Sequence, residues 1–131
     1  MIFEHFALNV EQPIEIAKWY VDNLNMKIVK NLDKPPHTHF LADTTGRVIM
    51  ELYNNPAAKI PDYKNANLLE FHFAFMVENA EVFKQKLIKA GAKLEEDLRL
   101  EDGSHLATLR DPFGLCVQLC QRAKPMMNLE N

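Results

Sequence analysis

Two histidines, one carboxylate and one amide recur at matched spacing in this chain. His5 and Glu51 are 46 residues apart, as are His72 and Gln118, and one offset of 67 residues (72 − 5 and 118 − 51) relates the pairs. Two imidazoles, a carboxylate and an amide oxygen together suit a divalent first-row metal ion with open positions for water or substrate. These four side chains are therefore the candidates for a shared metal site.

The sequence around the two pairs also repeats. Residues 3–10 align with residues 70–77 and share the pattern His-Phe-Ala-x-x-Val, and residues 50–52 align with residues 117–119. The same polar pair in the same apolar setting indicates two copies of one structural unit.

The elements that must position these residues are a strand, a helix and three further strands in each copy. The first copy has an alternating apolar strand over residues 2–10, a helix opened by Pro13, a strand over 26–32 and a hairpin of strands 37–42 and 47–53. The second has strands over 69–77, 93–100, 104–110 and 115–121, with a helix between Asn79 and Gly91.

We therefore predict an α+β fold in which two βαβββ modules form a curved mixed sheet around a cavity, with the helices outside. Module 1 spans residues 1–53, a linker residues 54–68, module 2 residues 69–121 and a mobile tail residues 122–131, all in a single domain of 131 residues. Strand alternation turns all four candidate side chains toward the cavity. Small residues beside the histidines, Ala7 and Ala74, leave room for a ligand. In the alternative interpretation the histidines are hydrogen-bonded lining residues and Glu51 pairs with Arg47.

Composition excludes several classes of function. The chain is 47% apolar and 25% charged, carries a net charge of −3 and has no basic cluster, which argues against nucleic acid as a partner. No apolar run approaches the length of a membrane span and the first residues do not resemble a signal peptide, so we expect a cytoplasmic protein. Cys116 and Cys120 are expected to be buried free thiols.

At the candidate residues the chain resembles the vicinal oxygen chelate superfamily, which includes glyoxalase I, methylmalonyl-CoA epimerase, extradiol dioxygenases and bleomycin-binding proteins. The resemblance covers residues 2 to about 121. Among these enzymes, the sequence looks most like bacterial glyoxalase I. The resemblance is carried by the segment around His5, by Val48-Ile49-Met50-Glu51-Leu52-Tyr53, by Phe71-His72-Phe73-Ala74-Phe75 and by the turn Asp111-Pro112-Phe113-Gly114 before the last strand.

The resemblance implies a divalent metal ion (Zn, Ni, Co, Mn or Fe) bound by His5, Glu51, His72 and Gln118. In glyoxalase I the last position is normally a glutamate that acts as ligand and general base, whereas glutamine has no basic carboxylate. If each module is superposed on the other, positions 51 and 118 exchange and the four ligands occur in the order His, Gln, His, Glu. This order resembles the ligand set of the epimerases. Glu51 is therefore the predicted base of a metal-dependent lyase or isomerase that stabilises an enediolate or enolate of a small carbonyl substrate.

Two other functions remain open. His5, His72 and Glu51 also form a two-histidine, one-carboxylate set for an iron(II) dioxygenase, although such enzymes of this fold usually have longer chains. Some relatives only sequester a drug or metabolite, as the bleomycin-resistance proteins do. The resemblance further implies a homodimer that binds a small-molecule substrate. No membrane is expected as a partner, because the sequence has no apolar run near 18 residues.

Several other polar residues are candidates for substrate contacts. Arg47, Tyr53 and Arg110 are predicted to contact an anionic substrate. His37 and His39 are predicted to form a solvent-facing pair or a substrate contact, and His105 is predicted to lie at the surface of a hairpin.

Overall fold

The computed structural model describes residues 1–127. The chain folds into two compact units, Met1–Pro61 and Asp62–Asn131. Each unit contains a four-stranded mixed sheet and one helix of at least ten residues, in the order strand, helix, strand, strand, strand. The predicted α+β class with two βαβββ modules is therefore confirmed. The boundary between Pro61 and Asp62 falls within the predicted linker, and a short 3-10 helix follows it at Tyr63–Asn65.

The first unit is built from one helix and four strands. These are β1 (Phe6–Asn9), α1 (Pro13–Leu24), β2 (Lys27–Asn31), β3 (His39–Ala42) and β4 (Val48–Tyr53). The strand order is β1-β4-β3-β2, with β1 parallel to β4 and the other neighbours antiparallel. Helix α1 packs against β2, β3 and β4, and the buried core includes Ile16, Tyr20, Leu41, Met50 and Leu52.

The second unit repeats this arrangement with β5 (Phe73–Met76), α2 (Ala80–Lys89), β6 (Lys93–Arg99), β7 (His105–Arg110) and β8 (Cys116–Gln121). Its strand order is β5-β8-β7-β6, and β5 is parallel to β8. Helix α2 packs against β6, β7 and β8, over a core that includes Leu87, Leu109, Val117 and Leu119.

The ends of the two helices follow from local chemistry. Pro13 occupies the first turn of α1, where a missing N–H costs nothing, and Asn25 ends the helix in the left-handed conformation at φ 58°. Asn79 caps α2 by accepting a hydrogen bond from the backbone N–H of Val82 at 3.1 Å. Within residues 1–127 neither helix is both long and apolar enough to cross a membrane.

The strands that precede the two helices are shorter than expected. β1 and β5 begin at Phe6 and Phe73, not near residues 2 and 69, so His5 and His72 each lie one residue before a strand. In the second unit Asn67 forms a turn, because its side chain accepts from the N–H of Leu69 at 2.8 Å and its carbonyl from that of Glu70 at 2.9 Å.

The described part of the predicted tail lies against the second unit. The N–H of Ala123 donates to the hydroxyl of Ser104 at 3.0 Å, and residues 125–127 line a pocket described below. Residues 128–131 of the predicted tail lie outside the described residues.

Candidate metal centre

The strand register repeats in both units at the candidate residues. Ala7 pairs with Glu51 across the parallel strands β1 and β4, and Ala74 pairs with Gln118 across β5 and β8. The offset of 67 residues seen in the sequence therefore also relates the paired strand positions of the two units. Each histidine lies two residues before the alanine of its unit. We refer to His5 and Glu51 as the first half-site, and to His72 and Gln118 as the second half-site.

The first half-site brings its two side chains into contact. His5 Nε2 lies 3.3 Å from Glu51 Oε1, and the side chains are 30% and 20% exposed. His5 Nδ1 lies 2.8 Å from the carboxylate of Glu4, and the ring of Phe40 packs edge-on against the imidazole at 5.7 Å between centroids. The imidazole is therefore oriented on both sides, with Nε2 directed at Glu51.

The hydrogen bond to Glu4 determines what His5 offers to Glu51. A carboxylate oxygen only accepts, so Nδ1 carries the proton, and in a neutral imidazole Nε2 then presents a lone pair. Two electron-rich atoms at 3.3 Å repel each other unless a cation lies between them or Nε2 is also protonated. This geometry fits a bound metal ion, since metal-ligating histidines usually donate their other ring N–H to a carboxylate or carbonyl.

The second half-site shows the same orientation of its histidine. His72 is exposed, and its Nδ1 lies 2.9 Å from the backbone carbonyl of Leu68, which can only accept. Its Nε2 therefore also presents a lone pair in the neutral ring. The orienting carbonyl comes from the turn that shortens β5, which sequence alternation did not predict.

Gln118 is held by two neighbours on its own sheet. Its Nε2 donates to the Thr108 hydroxyl at 3.1 Å, and its Oε1 accepts from the Cys120 thiol at 3.2 Å. The amide oxygen keeps a second lone pair for a ligand. The two half-sites lie in different units, and their assembly into one four-ligand centre remains a prediction.

Both cysteines are free and buried, as expected. Burial raises the pKa of the thiols of Cys116 and Cys120, which keeps them protonated at neutral pH. Cys120 therefore serves as a hydrogen-bond donor to Gln118 and not as a nucleophile.

Arg110 makes four hydrogen bonds within the second unit. Its guanidinium donates to Glu95 at 2.8 Å and to three backbone carbonyls, those of Tyr63, Ala66 and Gly114, at 2.7–3.1 Å. The hydrogen bond with Glu95 raises the pKa of Arg110. These contacts hold residues 63–66 against the last hairpin. They also occupy four N–H donors of the guanidinium, so few remain to bind a substrate anion.

The other two predicted substrate contacts are more accessible. Arg47 is exposed at the end of the turn before β4, and Tyr53 is half-buried at the last position of that strand. Their contact with a substrate remains a prediction.

The predicted surface position of His105 was wrong, and the solvent-facing alternative for His37 and His39 was also wrong, whereas their contact with a substrate remains a prediction. His105 is 1% exposed, and its Nε2 hydrogen-bonds to Asp97 on the neighbouring strand. His39 is 5% exposed, and its Nδ1 donates to the carbonyl of His37 at 2.7 Å, so it is not part of a solvent-facing pair. Both residues begin a strand directly after a polar loop, and the loop composition suggested exposure.

Sequence reasoning missed one polar cluster, formed by Glu81, Lys84, Asp97 and His105. The carboxylates and the imidazole offer ligand atoms within 4.8 Å of one another. However, Lys84 Nζ lies 2.6 Å from Glu81 and 2.7 Å from Asp97, so an ammonium already supplies the positive charge that a metal would bring. These contacts raise the pKa of Lys84, chiefly through Asp97, and lower the pKa of Asp97, chiefly through Lys84.

One signal in the sequence could have found this cluster. Lys84 lies between Ala80 and Leu87 on the buried stripe of α2, at helical spacing from both. A lysine at such a position requires a carboxylate nearby, because an unpaired buried ammonium is costly.

Comparison with known proteins identifies the family. The profile of the Glyoxalase/Bleomycin resistance protein/Dioxygenase superfamily matches residues 2–119, so the chain belongs to this superfamily. The expected resemblance is thereby confirmed. None of the curated proteins matches the sequence.

Solved structures share the fold over most of the chain. SMU.1112c is 26% identical, with a TM-score of 0.67, over 92% of this chain and 98% of that one. A lactoylglutathione lyase from Agrobacterium tumefaciens is 19% identical, with a TM-score of 0.66 and coverages of 91% and 92%. TnmS3, an antibiotic binding protein from Streptomyces sp. CB03234, is 12% identical, with a TM-score of 0.68 and coverages of 92% and 94%.

Proposed function

We propose that this protein is a divalent-metal-dependent isomerase or lyase of the glyoxalase I or epimerase type, acting on a small carbonyl substrate. The observation that carries the proposal is the orientation of the two histidines. In both units an acceptor binds Nδ1 and leaves Nε2 as the available ligand atom. Nδ1 of His39 makes a similar contact outside the half-sites, and what distinguishes His5 and His72 is their matched register with Glu51 and Gln118.

The residues present fit a metal ion. His5, Glu51, His72 and Gln118 would hold it, with two nitrogens and two oxygens of the kind that zinc, nickel, cobalt, manganese or iron accept. When bound, such an ion supplies Lewis-acid polarisation of a carbonyl oxygen, which stabilises the negative charge that develops there on loss of a neighbouring proton.

Glu51 is the base that this chain offers for that proton. Its carboxylate is only 20% exposed and faces an imidazole nitrogen, so it is oriented and partly shielded from water. It would take the proton from the carbon next to the carbonyl and return it to the neighbouring carbon or to the opposite face of the same carbon. Gln118 cannot accept that proton, since its amide is not basic at neutral pH.

Metal content tests the proposed centre. We expect stoichiometric metal in wild-type protein purified without chelator, and at least a tenfold loss of affinity in His5→Ala and His72→Ala. His37→Asn is the matched control, because it removes an imidazole outside the half-sites and asparagine tolerates the φ of 56° at this position. Wild-type protein that neither contains nor takes up any of the five metals would refute the proposal.

Activity separates the roles of the two oxygen ligands. Glu51→Gln should retain metal but lose about 10²–10⁴-fold in kcat, the usual contribution of a general base. Gln118→Glu should leave at least partial activity, because Glu51 is unchanged. Isomerisation of methylglyoxal–thiol adducts, epimerisation of acyl-CoA esters and oxygen uptake with catechols should be assayed in parallel. A fully active, metal-loaded Glu51→Gln variant would exclude Glu51 as the base.

A second candidate function is sequestration of a small apolar molecule, as in the bleomycin-resistance type. The observation that favours it is a mainly apolar pocket on the second sheet. This function predicts ligand binding without stoichiometric metal and without turnover, so the measurements above distinguish it.

We also propose that the protein forms a homodimer, as subunits of this family commonly do. Light scattering coupled to size-exclusion chromatography should give twice the chain mass of 15.1 kDa. A monomer at micromolar concentration would contradict this proposal and leave the metal prediction intact.

A further inference from the structure

Gln118 can act as a metal ligand in only one orientation of its amide. The two oxygens of a carboxylate are equivalent, so Glu51 presents an oxygen whichever way its carboxylate is turned. An amide has one oxygen and one nitrogen, and the nitrogen is a donor with no lone pair to offer. Oε1 of Gln118, and not Nε2, must therefore be the atom left available to an ion.

The neighbouring strands provide different partners for these two residues. Thr108 on β7 lies opposite Gln118 in the antiparallel register, and its hydroxyl accepts from Gln118 Nε2 at 3.1 Å. In the first unit, Phe40 on β3 lies opposite Glu51, and its ring has no polar atom. The residue that needs a fixed orientation thus faces a hydrogen-bonding side chain, and the residue that needs none faces an apolar one.

Thr108 is suited to hold one end of the amide in place. It is 1% exposed on an inner strand of its sheet, and its branched β-carbon restricts rotation about χ1. The other end of the amide, Oε1 of Gln118, accepts from the thiol of Cys120 at 3.2 Å. A thiol is only a weak acceptor, so an amide turned the other way round would lose this contact. Both neighbours therefore favour the same orientation.

We propose that Thr108 is a positioning residue of the metal centre, which holds Nε2 of Gln118 and thereby leaves Oε1 as the ligand atom. The role in metal binding rests on the proposed function, whereas the orientation of the amide depends on the second unit alone. Residues that orient a metal ligand typically contribute about 10–100-fold to metal affinity, and we expect an effect in this range for Thr108.

The orientation can be tested without a metal. In protein kept in excess chelator, ¹⁵N NMR should show one Nε2 proton of Gln118 that exchanges slowly with water, because it is bonded to Thr108. Thr108→Val replaces the hydroxyl with a methyl group, so this proton should exchange about tenfold faster, the factor that one ordinary hydrogen bond accounts for. Thr108→Ser keeps the hydroxyl and should preserve slow exchange. Equal exchange in wild type and Thr108→Val would overturn the inference.

A double-mutant cycle separates positioning of the ligand from general support of the fold. With cobalt(II) titrated by its visible absorption, Thr108→Val should weaken binding about 10–100-fold, whereas Thr108→Ser should bind as wild type does. In a Gln118→Glu background, Thr108→Val should change the affinity by no more than about twofold, because the two carboxylate oxygens are equivalent.

Equal losses in the two backgrounds would show that Thr108 supports only the fold, and would overturn the inference. Wild-type protein that shows the slowly exchanging proton but takes up no cobalt would instead refute the proposed function. The metal role of Thr108 would then fall with that function, while the orientation of Gln118 would stand. The two failures are therefore distinguishable.

Discussion

Gly114 is the position at which the last hairpin should tolerate a side chain least. It closes the turn that starts at Asp111, with φ at +101°, a region that costs residues with a Cβ about 1–2 kcal/mol. A Cβ added there would lie 2.5 Å from Lys64 Cγ, 3.0 Å from Lys64 N and 3.2 Å from its Cα. The side-chain atom can move, but the two backbone atoms cannot move easily.

The backbone near Lys64 is fixed by Arg110. Its guanidinium binds the carbonyls of Tyr63 and Ala66, on either side of Lys64, and also the carbonyl of Gly114 itself. Relief of the clash would therefore break hydrogen bonds or distort the turn, and overpacking of this kind costs about 1–3 kcal/mol. Together with the conformational cost, Gly114→Ala should lose about 2–5 kcal/mol of unfolding free energy.

Gly103 provides the control. Its φ is +93°, but nothing lies within 4 Å of an added Cβ, so Gly103→Ala should cost only the conformational part, about 1–2 kcal/mol. At about 2.1 cal/mol/K per residue, 131 residues lose about 3.6 °C of Tm per kcal/mol, so the expected decreases are roughly 7–18 °C for Gly114→Ala and 4–7 °C for Gly103→Ala. Urea unfolding and calorimetry measure both. Equal losses in the two variants would show that the contact with Lys64 does not constrain the turn.

Three further predictions concern stability and thiol reactivity. Asn9→Ala should cost about 2–4 kcal/mol in urea unfolding, because the buried amide makes three hydrogen bonds to the loop after β4, whereas Asn54→Ala, which removes one hydrogen bond to the carbonyl of Glu11 from a half-buried side chain, should cost about 0.5–1.5 kcal/mol. Because the ion pair with Lys84 lowers the pKa of Asp97 below the 3.8 of a free aspartate, it stabilises the fold above that pH and the contribution is lost as pH falls below it; Lys84→Met should flatten that dependence. Both thiols should react with a disulfide reagent at pH 8 far more slowly in the folded than in the unfolded protein; equal rates would contradict their burial.

Much of the fold was predictable because the chain repeats. The pattern around His5 and His72 predicted two equivalent modules, and the register of β1 with β4 and of β5 with β8 has the same offset. The buried positions of β4 and β8 also followed from alternation, since Met50, Leu52, Val117 and Leu119 are all fully buried.

Other features depend on contacts that no local pattern encodes. The alternating sequence pattern predicted that β5 begins at residue 69. In the structure the side chain of Asn67 forms a turn there, and the strand begins only at Phe73. The burial of His105 depends on Asp97, eight residues earlier on the neighbouring strand. The pocket beside Gln118 depends on residues 125–127, which follow the last strand and have no periodicity.

The difference between the half-sites extends beyond Glu51 and Gln118. In the first unit, carboxylates lie on both sides of the imidazole of His5, those of Glu4 and Glu51. In the second, the imidazole of His72 binds a neutral carbonyl, and the neutral amide of Gln118 adjoins an apolar pocket. The carboxylates in contact with a candidate histidine thus belong to the first half-site, whereas the second half-site offers an amide. If both half-sites serve one centre, as we propose, Glu51 of the first half-site is the group that would accept the substrate proton, because the amide of Gln118 is not basic.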